Sequence, residues 1–104
     1  MPNTPVQAAA EGLPKDPIIA AIEAYHAGNA AYRAHPDDDE AAIEATYGPP
    51  SRVLESWEQP AQTRQGAIAA LKLALYEHEQ YGGSELIFPM LDAALAFLEK
   101  EDVQ

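Results

Sequence analysis

Residues 22–26 read IEAYH, which sets the Glu23 carboxylate three positions before the His26 imidazole. On a helix this spacing turns both groups to one side, as in four-helix bundles that hold carboxylate-bridged pairs of iron or manganese. Such a centre needs two Glu-x-x-His segments and two further inward glutamates. This chain has one segment, because His78, the other helical histidine, is preceded three residues earlier by Leu75. A homodimer would bring a second copy across a two-fold axis. The plainer reading, and the expected one, is a partly exposed pair at the margin of an apolar stripe.

Three other stretches invite chemistry. YEHEQY, residues 76–81, flanks His78 with Glu77 and Glu79, a pattern suited to a ligand or a proton acceptor beside a carboxylate. No Ser or Cys accompanies it in a nucleophile motif, and a satisfied histidine at the edge of a core face explains it equally well. DDDEAAIE, residues 37–44, lacks the ligand layout and the twelve-residue loop of an EF-hand. A charged helix N-terminus accounts for its acids. GGSE, residues 82–85, has no Walker lysine, so it is not a phosphate loop. If a metal or small ligand binds at all, Glu23, His26, Glu77 and His78 are the candidates. The expectation is no cofactor and no enzymatic role.

The composition narrows the partners. Seventeen acidic residues against six basic give a net charge of −11 over 104 residues. Such a field repels phosphate backbones and anionic lipid. Lys15, Arg33, Arg52, Arg64, Lys72 and Lys100 are too scattered to make a local exception. Neither nucleic acid nor membrane is therefore an expected partner. With no cysteine, disulfides and Cys-based zinc sites are excluded, and a reducing cytoplasm fits. The opening MPNTPVQAAAEGLPKDP has neither a basic n-region nor a continuous apolar run, so a secretory signal is not expected.

The elements that must position these residues are helices. Residues 1–15, with Pro2, Pro5, Gly12 and Pro14, read as a flexible arm ahead of one domain over 16–104. Asp16 caps a first helix, Pro17 suits its first turn, and Pro36 ends it. A second helix opens at DDDE, with Asp37 and Glu40 spaced as a capping box. It ends at YGPP, where Gly48 suits a left-handed terminus, and SRVLESWE adds one or two turns. Thr63 caps a third helix ending at Gly82-Gly83; Ser84 caps a fourth, whose regular turns begin at Phe88 because of Pro89. No segment alternates as a half-buried strand does. The expected class is all-α, a small bundle of three to four helices.

The apolar faces suggest how the protein works. Ile18, Ile19, Ile22, Tyr25 and Tyr32 form one stripe of the first helix, with Asn29 inside it in need of a partner. At least one of the two tyrosine hydroxyls should reach a buried polar group. In the third helix, Ile68, Leu71 and Leu75 read as the inner side, with Leu73 and Tyr76 outward. The fourth helix is apolar over roughly 200°, twice what one core needs. Its outer face, with Phe88, Leu91 and Leu98, joins Leu73 and Tyr76 as the expected interface. The leading expectation is thus an acidic bundle acting through protein–protein contact, as a homodimer and with any further protein partner. An acidic mimic of nucleic acid ranks last, because the acids gather at helix ends.

The stretches DPIIAAIEAY and QPAQTRQGAIAALKLAL resemble a group of small helical proteins of alphaproteobacteria. There an Asp-Pro-initiated, Ala-rich helix precedes a Pro-x-x-Thr-x-x-Gly helix start. The likeness spans about residues 16–80 and is carried by Asp16, Pro17, Ile22, Glu23, Thr63, Gly66 and Leu71. It departs at YGPPS, where the group has a longer unbroken helix. The resemblance implies a bacterial helical protein and transfers no catalytic residue. Gly66 gains a physical role: it permits close approach of another backbone, at about 1 kcal/mol of helix propensity.

Overall fold

The structure, a computed structural model, describes residues 16–103, and the expected arm over 1–15 lies outside them. Five helices follow in order: α1 (Pro17–Ala34), α2 (Glu40–Ala45), α3 (Gly48–Glu55), α4 (Arg64–Tyr81) and α5 (Ile87–Val103). The described residues contain no strand, so the class is all-α. The long α4 and α5 form an antiparallel hairpin. It is closed at one end by the turn after left-handed Gly82 (φ 75°) and at the other by an Arg64–Glu101 ion pair of 2.7 Å. α1 packs on α4 and α3, and α3 also reaches α5. The molecule measures 45 × 38 × 20 Å, so its thin dimension is about two helix diameters.

The middle of the chain departs from expectation in two ways. Asp39, not Asp37, caps α2, accepting from the Ala42 backbone N–H at 3.0 Å. Gly48 does not end this helix but opens α3, with Pro49 and Pro50 in the first turn, where their missing N–H groups need no partner. The prolines that block one helix therefore begin the next. Arg52 of α3 then grips Glu44 of α2 through two hydrogen bonds of 2.8 and 2.7 Å.

Two helix N-termini meet on one carboxylate. Asp16 caps α1 through Oδ1, which accepts from the Ile18 N–H at 3.3 Å. Its Oδ2 accepts from the backbone N–H groups of Gln62 and Thr63 and from the Thr63 hydroxyl, at 3.0, 2.9 and 2.8 Å. Thr63 in turn caps α4, its hydroxyl oxygen accepting from the Gly66 N–H at 2.9 Å. The carboxylate is buried, at 4% exposure, and charge-assisted bonds of this kind are the strong ones. A Cβ on Gly66 would stand 2.8 Å from the Asp16 Cγ and collide with its Oδ2. The close approach expected at Gly66 is thus to a side chain. The backbone approach occurs at Gly28, where a Cβ would lie 2.7 Å from the Tyr47 Cα.

This junction fixes which side of α4 is inside. With Gly66 turned to Asp16, the inward residues are Ala67, Ala70, Leu73, Ala74 and Glu77. They meet Ile18, Ile22 and Tyr25 of α1, Leu54 of α3, Leu86 just before α5 and Met90 in its first turn. The expectation that Ile68, Leu71 and Leu75 line the core is corrected: they are exposed at 45%, 39% and 58%. Alanines win the inner face because they let α4 and the Ala93-Ala94 stretch of α5 approach closely.

Candidate functional site

The same rotation separates the residues that the sequence offers for chemistry. Glu23 and His26 stand on the rim of an open groove of about 400 Å³ between α1 and α4. Ile19, Ile22, Ala69 and Leu73 floor it, and Lys72 and Tyr76 stand opposite. The His26 ring meets Tyr76 edge-on, with centroids 6.5 Å apart. Among the described residues no Ser, Thr or Cys lines this groove to serve as a nucleophile. Two potential ligands fall short of the three or four protein donors of a zinc site. Among the described residues no group of three or more His, Cys, Asp or Glu is placed to hold one.

Glu77 and His78 lie elsewhere. Glu77, expected at the side of its helix, is 2% exposed and accepts a 2.8 Å hydrogen bond from the Tyr25 hydroxyl. Tyr25 is the tyrosine whose ring packs in the core while its hydroxyl finds a buried polar partner, as expected. Its pKa is pushed far above the ordinary phenol value. Burial is the main cause and the bond to Glu77 the next, with the Asn29 side chain acting the other way. Tyr32 is only half-buried, and its hydroxyl donates to the Asp38 carbonyl at 3.3 Å. His78, expected at the edge of the core face, is exposed on the outward side of α4.

That outward side is the largest feature the fold leaves unused. Along α4, Ile68, Leu71 and Leu75 step by three and four residues, and His78 continues the series. Along α5, Phe88, Leu91, Leu95 and Leu98 step by three, four and three. All seven apolar side chains are exposed, Phe88 by 73% and Leu95 by 53%. At about 100° per residue each series lies roughly 125° from its own helix's core side, in the same rotational sense. The helices run antiparallel, so these senses mirror one another; with α1 against the Ala69 and Leu73 side of α4 and residues 57–60 against the Pro89 and Ala93 side of α5, the two series fall together on the hairpin's other face. Three-four spacing is the pattern by which helices meet along a coiled-coil seam.

Of the residues expected at an interface, Phe88, Leu91 and Leu98 belong to this face. Leu73 does not, at 2% exposure, because the α4 rotation takes it into the core. Tyr76 turns instead to the groove beside His26. Sequence reasoning missed Leu75, Leu95, Ile68 and Leu71 as outward residues. The available signal was the three-four spacing, shared by both helices and stronger than the choice of one apolar side. The chain matches no family model, no curated protein and no solved structure.

Proposed function

We infer that this protein works by protein–protein contact and self-association, with the outward face of the α4/α5 hairpin as its working surface and a second copy as its partner. The observation that carries this reading is the pair of three-four apolar series exposed side by side. Monomeric proteins seldom expose so much contiguous apolar surface. From the fractional exposures these side chains offer roughly 700 Å² per copy, close to the ~800 Å² per partner of a stable interface. At ~25 cal/mol per Å² such burial outweighs the loss of translational and rotational freedom. The charge of −11 on each copy opposes pairing, but salt screens it beyond about 10 Å at 0.1 M.

The rival reading, a metal- or ligand-dependent enzyme using Glu23, His26, Glu77 and His78, draws little from the geometry, since two of the four face away from the groove. Absence of cysteine supports placing the protein in a reducing cytoplasm, and its charge speaks against nucleic acid and anionic membrane as partners. Among the described residues no helix is long and apolar enough to cross a membrane. Sedimentation velocity across the micromolar range tests the reading. A homodimer is expected, and a chain that remains monomeric at several hundred micromolar overturns it. Stoichiometric iron, manganese or zinc in the purified protein would favour the rival.

A further inference from the structure

Resting on that association, the geometry points to one way for the copies to pair: α4 of each lies across α5 of the other, with the two-fold axis running along the helices. Face-to-face packing of two hairpins allows two such axes. One along the helices sets α4 against the partner's α5. One across them sets α4 against α4 and α5 against α5. Both keep neighbouring helices antiparallel and both bury the same apolar series, so apolar burial does not choose between them.

Charge beside the seam does. Glu85, Asp92 and Glu99 recur every seventh residue along the edge of α5 and its preceding turn, on the side away from α4. Gln65, Lys72 and Glu79 recur in the same way along the far edge of α4. All six are exposed, and each row lies about 80° from the centre of its apolar series. The Arg64–Glu101 ion pair and the turn after Gly82 set the hairpin register, so Gln65, Lys72 and Glu79 stand level with Glu99, Asp92 and Glu85.

An axis across the helices lays the acid row of α5 on its own copy. Asp92 then faces the partner's Asp92, Glu85 faces the partner's Glu99, and Lys72 faces the partner's Lys72. Like charges opposed across an interface are a strong discriminator against a pairing. An axis along the helices sets Asp92 against the partner's Lys72, and Glu99 against the partner's Gln65, twice in each dimer. Only the Glu85 and Glu79 pair remains like-charged.

The two arrangements predict different outcomes. With the axis along the helices, Lys72→Asp and Asp92→Lys each weaken the dimer roughly tenfold, and the double exchange restores it. With the axis across them, each single change replaces one like-charged pair by another and leaves the dimer nearly as strong as before. Because the chain has no cysteine, introduced thiols report position directly. Gln65→Cys mixed with Glu99→Cys should cross-link through a short bis-maleimide, and Glu85→Cys mixed with Glu99→Cys should not. Cross-linking of the second mixture, of neither, or a dimer that neither single exchange weakens overturns the pairing while leaving self-association standing. A monomeric parent chain overturns the association itself.

Discussion

The N-terminal end of α4 and its outward face treat their chemical groups in opposite ways. At the end, one buried carboxylate accepts four hydrogen bonds, from Ile18, Gln62 and twice from Thr63. Thr63 passes the cap on to Gly66. On the face, seven large apolar side chains stand 36% to 73% exposed among the described residues. A satisfied buried polar cluster specifies orientation, since any rotation leaves donors unpaired. An uncovered apolar series is free of that demand and available to another surface. The first sets where α4 points, and the second is what that setting leaves over.

Breaking the junction should have the largest effect. Asp16→Ala removes the acceptor of four hydrogen bonds and is expected to cost about 3–5 kcal/mol of stability in urea unfolding at fixed protein concentration. Gly66→Ala separates propensity from packing. It gains about 1 kcal/mol as a helix former, yet should be destabilising overall because its methyl meets Asp16. A stabilised G66A protein would show that Asp16 moves aside without loss.

Breaking the face should act on association. Leu95→Asp or Leu98→Asp, each counted twice per dimer, should weaken pairing at least a hundredfold, roughly 3 kcal/mol, while circular dichroism retains the helix content. Leu73→Asp, nine residues before Gly82 but inside, should instead unfold the chain. If L95D unfolds as well, the face is part of the core and the comparison fails.

The Tyr25–Glu77 pair sharpens the inward side. Tyr25→Phe leaves a buried carboxylate without its donor and should cost about 2 kcal/mol, more than Glu77→Gln, which keeps an acceptor. The raised Tyr25 pKa also fixes the sign of an alkaline effect. Below pH ~10 both folded and unfolded chains keep the proton, and the contribution is fully present. Above it the unfolded chain ionises first, so stability should fall as pH climbs toward the raised folded value. The Y25F protein should show a shallower slope in thermal melts at pH 9–11.5, the remainder coming from Tyr81, whose pKa burial also raises.

The smallest effect should come from salt. Raising ionic strength from about 20 to 300 mM should tighten the dimer roughly three- to tenfold, since both copies carry −11. Stability losses at the Asp16 junction should stay nearly constant, because its bonds are buried.

The sequence by itself determined the helices, the caps at Asp16 and Thr63, the stop at Gly82 and the surplus of apolar surface on α5. These follow from local rules: which residues satisfy free N–H groups, which tolerate left-handed backbone, and how wide an apolar stripe is. It did not determine how α4 is turned. Its wheel carries two apolar sides, one of leucines and isoleucine and one of alanines with Leu73, and hydrophobicity alone favours the larger. Nor did it determine that Pro49 and Pro50 open a helix, because proline obeys the same restriction at either boundary. Only tertiary structure decided these points. The Asp16 carboxylate reaches across 47 residues to Thr63, pins Gly66 inward, and with it buries Glu77 and turns Ile68, Leu71 and Leu75 out. A bond between distant segments has no periodicity for a sequence to display.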